Sequence, residues 1–309
     1  MASHDVSAVK KVGEILCNPQ NPLKQRFRAL FTLRNLGGSE AIDCISACFE
    51  DTSALLKHEL AYCLGQMKDP YAIPVLVKIL EDREENSMVR HEAGEALGAI
   101  GSISSLEVLN KHCSDPMVEV AETCQLAVRR LKWLHRPESE RENLSANPYM
   151  STDPAPPNEN CDVAVQRAIL LDESVPLFER YRAMFSLRNA GGEEAVLALA
   201  EGLGCGSALF RHEVAYVLGQ MQHGAAAPPL ARVLRDAAEH AMVRHECAEA
   251  LGAIAGDGAT GALRAHADDA ERVVRESCQV ALDMCEYESG DQFQYADCLA
   301  EAKVAEATS

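Results

Sequence analysis

Aromatic residues are scarce in this chain. One Trp, seven Tyr and seven Phe make up 5% of 309 residues, against 47% hydrophobic residues in all. Such a balance indicates a helical protein packed with Ala and Leu, and it speaks against disorder. No apolar stretch approaches the roughly 18 to 20 residues needed to span a bilayer, and the N-terminal MASHDVSAVKK has no apolar signal-peptide core, so no membrane role and a cytoplasmic address are expected. Basic residues are outnumbered 29 to 47, giving a formal charge of −18. Phosphate contacts want Lys and Arg, so nucleic acid is not an expected partner, whereas a cationic partner would be drawn to this surface. The 12 cysteines include no CxxC pair, and Cys63, Cys124, Cys247 and Cys278 sit at helix-like positions among Ala and Leu. They are expected to be reduced, buried, small hydrophobes, with no zinc or disulfide framework. The HExxH spacing of zinc proteases is absent too, since Tyr62 and Glu95 stand four residues beyond His58 and His91.

What the chain does have is repetition. MVRHEAGEALGAI at 88–100 returns as MVRHECAEALGAI at 242–254, and KHELAYCLGQM at 57–67 returns as RHEVAYVLGQM at 211–221. The His–Glu pairs His58–Glu59 and His91–Glu92 are 33 residues apart, as are His212–Glu213 and His245–Glu246, and the two sets are offset by 154. The same offset carries RFRALFTLRNLGG at 26–38 onto RYRAMFSLRNAGG at 180–192, so a whole half was duplicated. Each unit reads as a helical pair whose second helix follows VRxxAxxALGxIG, with a buried stripe (Val89, Ala93, Ala96, Leu97, Ile100) and a glycine stop at Gly101 or Gly37–Gly38. Hairpins of this kind bury the stripe only by stacking, which predicts an all-α solenoid.

The VRxxAxxALG frame resembles HEAT repeats. Eight fit, at 6–38, 39–70, 71–104 and 105–135, then at 162–192, 193–223, 224–257 and 258–288. The expected organisation is an N-terminal four-repeat half at 1–135, a flexible Pro-rich linker at 136–161, a C-terminal half at 162–288 and a fraying acidic tail at 289–309. A linker of this length would allow the two grooves to face each other.

In register, Arg90–His91–Glu92–Ala93 aligns with Arg26–Phe27–Arg28–Ala29 and with Ala121–Glu122–Thr123–Cys124, and Arg180–Tyr181–Arg182 and Arg275–Glu276–Ser277 occupy the matching outer places. The pairs are therefore confined to the inner repeats and are not a requirement of the repeat fold. Their place, one turn into the second helix, should put them on the concave groove. Neighbouring helices then offer two imidazoles and two carboxylates, a set suited to iron with positions left open for oxygen or substrate. Two halves supply two such sets. Glu95 and Glu249, four residues beyond His91 and His245, could hydrogen-bond a ligand's second ring nitrogen, although an ion pair with Arg or Lys of a neighbouring repeat is expected instead. His4, His112, His135, His223, His240 and His266 fall outside the His–Glu frame and read as structural or surface residues. A groove that merely binds a basic peptide, with the pairs as a polar lining, is the alternative.

Four His–Glu pairs at 58/59, 91/92, 212/213 and 245/246, in two halves of HEAT-like repeats, resemble the deoxyhypusine hydroxylase family over essentially the whole chain; HEAT-type bilin lyases share the frame without the four pairs. The resemblance implies a protein-modifying monooxygenase that uses two iron ions and O2 to hydroxylate the deoxyhypusine side chain of a translation factor precursor, completing hypusine, with an electron donor that the residues do not identify. It implies His58, His91, His212 and His245 as iron ligands, with all four glutamates in the site. Glu92 and Glu246 are the stronger ligand candidates; Glu59 and Glu213 are ligands that can instead hold the substrate ammonium. No catalytic residue beyond these is assigned.

Overall fold

The structure is a computed structural model that describes residues 6–140, 142–292 and 294–298; His4 and the end of the acidic tail lie outside these residues. Every regular element among the described residues is helical. Sixteen α-helices among the described residues form eight hairpins. The first four are α1 (Val6–Cys17) with α2 (Leu23–Leu36), α3 (Ser39–Ser46) with α4 (Ala54–Met67), α5 (Ile73–Glu81) with α6 (Ser87–Ile100), and α7 (Leu106–His112) with α8 (Val118–Leu134). The second four are α9 (Val163–Leu171) with α10 (Leu177–Ala190), α11 (Gly192–Glu201) with α12 (Ala208–Met221), α13 (Ala227–Arg235) with α14 (Ala241–Ile254), and α15 (Asp257–Ala265) with α16 (Arg272–Glu288). None of the described helices is long and apolar enough to cross a membrane.

The chain divides into two compact units, one running to Cys124 and resuming at Asp291, the other Gln125–Gly290, so that the division falls within α8. In each unit the second helices pack against one another, α4 on α6 in the first and α12 on α14 on α16 in the second. Glycine permits this close approach. A Cβ at Gly65 would lie 2.8 Å from Ala96 Cα, one at Gly219 2.9 Å from Ala250 Cα, and one at Gly252 2.9 Å from Ala281 Cα. Real side chains do not approach backbone so closely, and glycine in a helix interior costs about 0.5 to 1 kcal/mol relative to Ala, so these positions trade helix propensity for contact.

Within a hairpin, an arginine near the start of the second helix ties the two helices together. Arg26, Arg90, Arg180 and Arg244 are all buried, and their Nε atoms donate to the carbonyls of Leu16, Leu80, Leu170 and Leu234 at the ends of the preceding helices. Three of them also reach an aspartate 25 residues on: Arg26 with Asp51, Arg90 with Asp115 and Arg244 with Asp269, each at 2.6 Å. Cys205 stands at the fourth such place, and there Arg180 lies over the Phe210 ring, 4.1 Å from its centroid.

Two stretches with no helical periodicity are nevertheless packed. Although 136–161 has the composition of a flexible linker, Thr152 and Ala155 are buried. Fully buried Arg188 on α10 pairs with Asp153 at 2.7 Å, Arg182 with Glu142 at 2.6 Å, and Arg182 Nε donates to the Pro156 carbonyl. In the tail, Arg28 on α2 donates to Gln292 Oε1 at 3.0 Å and lies over the Tyr295 ring, while Cys298 is 1% exposed. Neither stretch carries an apolar stripe. Each instead supplies acceptors and rings to arginines that the first repeat of a unit leaves in need of them.

The cysteine expectation divides. Cys63, Cys124, Cys247 and Cys278 are buried free thiols, as small hydrophobes should be. Burial pushes all four pKa values up, that of Cys278 to about 12, so they stay protonated. Cys17 and Cys48, by contrast, form a disulfide across 31 residues, contrary to the expectation of none. The repeat period explains it, because the end of α1 and the turn after α3 are equivalent points of adjacent hairpins, here with Cα atoms 5.4 Å apart.

Burial would raise the Asp115 pKa, but hydrogen bonds from Arg90, the Met117 amide and His112 outweigh it and hold the carboxyl down at about 2, against an ordinary 3.8. A depressed carboxylate contributes stability above its unfolded pKa and loses it as pH falls towards the folded one. Asp115→Asn should therefore lower unfolding free energy at neutral pH by about 3 kcal/mol, because it strands the buried Arg90. In urea titrations the gap between wild type and variant should narrow as pH drops from about 4 to about 2.

Candidate metal centre

Each of the four site helices is capped by a side chain five residues before its histidine. Ser53 accepts from the Leu56 amide, Asn86 from Met88, Ser207 from Phe210 and His240 from Met242. Capping fixes where the helix begins, and hence which way residue five projects. Seven residues beyond each histidine comes a glycine (Gly65, Gly98, Gly219, Gly252). Seven residues are nearly two full turns, so glycine and histidine share a face. Where the glycine draws two helices together, the histidine is carried into the same seam.

All eight predicted site residues are buried. His91 and His245 are 0% exposed, and His58, Glu59, Glu92, His212, Glu213 and Glu246 lie between 2% and 6%. In the first unit, His58, His91 and Glu92 each offer a ligand atom, and the three atoms lie within 4.8 Å of one another. His58 Nε2 is 3.3 Å from Glu92 Oε2 and its Nδ1 is 3.5 Å from Glu59 Oε1. The second unit repeats the arrangement, with His212 Nε2 3.2 Å from Glu246 Oε2. Ring centroids are 5.4 Å apart for His58 and His91 and 5.2 Å for His212 and His245. Burial by itself would push His58 down, but the carboxylates of Glu92 and Glu59 outweigh it and hold the imidazole well above its usual pKa.

These groups fit a metal. Buried carboxylates are costly unless they are paired or coordinate a cation, and here imidazole nitrogens and carboxylate oxygens converge within ligand reach of one point. Nitrogen with carboxylate suits iron. A passive peptide-binding lining, the other possibility open to the sequence, would not need its four carboxylates withdrawn from water.

Glu249 lies beside the histidine of its own helix. Its Oε1 lies 3.4 Å from His245 Nδ1 and 3.4 Å from the Ser277 hydroxyl, and its carboxylate comes within 4.8 Å of donor atoms of His245 and Glu246. In the first unit Thr123 Oγ1 is 3.5 Å from His91 Nδ1. Thr123 and Ser277 were noted in the sequence only as places where the His–Glu pair is missing. Four of the remaining histidines have structural partners: His112 Nδ1 is 3.1 Å from Asp115, His266 Nδ1 is 2.9 Å from the Ala262 carbonyl, and His223 and His240 cap helix starts.

The fold and this donor set define a HEAT-repeat protein with a buried His/Glu centre, and HEAT repeats match at residues 43–129 and 179–283. The deoxyhypusine hydroxylase of Homo sapiens is 67% identical over 289 residues, 94% of this chain and 95% of that one, and that of Bos taurus is 65% identical over the same span. The solved structure of human deoxyhypusine hydroxylase in complex with glycerol superposes with a TM-score of 0.88 at 65% identity, covering 91% of this chain and 98% of that one. The chain belongs to the deoxyhypusine hydroxylase family, and it is an enzyme.

Gly219→Ala places a methyl against Ala250 backbone and should lower stability by about 1 to 2 kcal/mol, as overpacking outweighs the gain in helix propensity. The same change in an exposed helix would be stabilising, so a rise in melting temperature would refute the close approach as the cause of the glycine.

Proposed function

We propose that the chain hydroxylates the deoxyhypusine side chain of a translation factor precursor, using two irons and O2. The observation that carries this reading is the pair of buried donor sets, His58, Glu59, His91 and Glu92 in one unit and His212, Glu213, His245 and Glu246 in the other. Two carboxylates per set balance the charge of one divalent iron. Iron would supply activation of O2 for attack on an unactivated C–H bond, chemistry that side chains do not perform unaided. One oxygen atom enters the C–H bond and the other leaves as water, which takes two electrons from an external donor and two protons from solvent.

The protein's part is binding and orientation. The imidazoles present Nε2 of His58 and His212 towards Glu92 and Glu246, which makes these carboxylates the stronger ligand candidates. Glu59 lies instead on the Nδ1 side of His58, which leaves it and its counterpart Glu213 as ligands or as the groups that hold the substrate ammonium. An acidic chain of net charge −18 attracts a cationic side chain, and the closed surroundings keep water away from it. The four-repeat halves at 1–135 and 162–288 and a cytoplasmic site of action belong to the same proposal.

Metal analysis of untagged protein should find about two irons per chain, and the loaded protein should convert a deoxyhypusine-bearing substrate. Absence of both would overturn the reading. His91→Ala should empty at least one metal position with helix content unchanged by circular dichroism, and full iron occupancy in that variant would remove His91 from the ligand set.

A further inference from the structure

In each unit, the first histidine of the centre meets the carboxylate at one fixed register of the next second helix. His58 meets Glu92 and His212 meets Glu246, both through Nε2. The last histidine of each series has no carboxylate at that register. Thr123 stands there for His91 and Ser277 for His245. The neighbour of each histidine lies at its other nitrogen, Thr123 itself for His91 and, for His245, Glu249 of its own helix, which Ser277 contacts. Thr123 Oγ1 lies 3.5 Å from His91 Nδ1, while Ser277 Oγ donates to Glu249 Oε1, which lies 3.4 Å from His245 Nδ1. Thr123 is 2% exposed and Ser277 0%, so neither hydroxyl is a surface decoration.

The hydroxyl is kept while the carbon around it changes. Thr123 Cγ2 sits 3.5 Å from where a Cβ of Gly94 would be. At the matching pair in the second unit the methyl has moved to Ala248, and Ser277 carries none. A Thr facing Gly and a Ser matched with Ala hold similar volume. The feature common to both is the oxygen.

We propose that Thr123 and the Ser277–Glu249 pair are positioning residues that fix the rings of His91 and His245 with the proton on Nδ1 and Nε2 presented for the metal. This inference rests on the iron-centre reading above. A neutral imidazole ligates through one nitrogen, and its other nitrogen must keep its proton and find an acceptor. Thr123 Oγ1 is such an acceptor for His91. Glu249 is a charged one for His245, and Ser277 braces the carboxylate that performs it. His245 is therefore backed by an anion, which raises its basicity as a ligand, and a hydroxyl does the same for His91 more weakly.

The test is iron(II) affinity, measured by chelator competition on the full chain, in Thr123→Val, Glu249→Gln, Ser277→Ala and the rescue variant Thr123→Ser. Thr123→Val removes only the hydroxyl at nearly constant volume, and Glu249→Gln removes only the charge. The expected result is 10- to 100-fold weaker binding for one of two irons in Glu249→Gln, about 10-fold in Thr123→Val and less in Ser277→Ala. Thr123→Ser should bind as wild type does. Wild-type affinity for both irons in Thr123→Val and Glu249→Gln overturns the proposal, as does equal weakening in Thr123→Val and Thr123→Ser, which would assign the loss to packing. A wild-type chain that takes up no iron would overturn the underlying reading instead, so the two failures are told apart.

Discussion

Everything at this centre depends on how closely the second helices approach. Helices ordinarily pack with axes 8 to 10 Å apart, and a Gly set against Ala backbone reaches the short end of that range. A Cβ on Gly65 or Gly219 would run into the Ala96 or Ala250 backbone, two turns along from the site histidines. Because His58 and His212 lie two turns before such a glycine, the same seam that closes around backbone at one end closes around imidazole and carboxylate at the other. The 5.4 and 5.2 Å separations of the histidine rings are thus consequences of residues some 10 Å along the helix axis. Side-chain caps at the helix starts hold the other coordinate, the rotation of each helix about its axis.

Given that seam, one register of the second helix acquires a different task in each repeat. Reading along the first unit it is Arg28, Glu59, Glu92 and Thr123, and along the second Arg182, Glu213, Glu246 and Ser277. Arg28 and Arg182 hold the nonhelical stretches that pack on α2 and α10, through Gln292 and Tyr295 in one unit and Glu142 and Pro156 in the other. The two glutamates enter the buried donor set. The terminal hydroxyls back the last histidine, Ser277 through Glu249. A repeat fold needs only the buried Ala and Leu stripe, which leaves this register free to differ from repeat to repeat.

That freedom is why the fold and the buried His/Glu cluster were legible in the sequence. The 33-residue spacing and the 154-residue offset located the eight hairpins, and confinement of His–Glu to the inner repeats separated His58, His91, His212 and His245 from His112 and His266, whose partners are Asp115 and a backbone carbonyl. Glu249 was legible only as a possibility, because a half-buried carboxylate four residues past a histidine is equally able to find a cation. Burial of Glu59 and Glu213 was not legible either, since the period that places them on the groove side says nothing of what covers them. The signal for the close approach was present and unread: a glycine repeated at one register inside four helices opposes helix propensity, and a persistent local penalty points to contact elsewhere. Cys17 and Cys48 stand close to one repeat apart, but that spacing becomes a disulfide only because two hairpin ends meet.

The packing of 136–161 and of the start of the tail follows from charge, which periodicity does not read. Arg188 is 0% exposed, and a guanidinium has five donors and cannot shed its charge. Withdrawing it from water without acceptors would cost more than a small unit could recover through apolar burial. Asp153, Ser151 and Gln220 supply those acceptors, and two of the three come from a stretch with no apolar stripe at all. The arginine and the segment therefore require each other. Without the segment, Arg188 would have to swing out of the core of α10, the helix that begins the second unit's stack and against which α12, with His212 and Glu213, is packed. A stretch that reads as a connector is in this way part of the support for the helices that carry the buried His–Glu pairs.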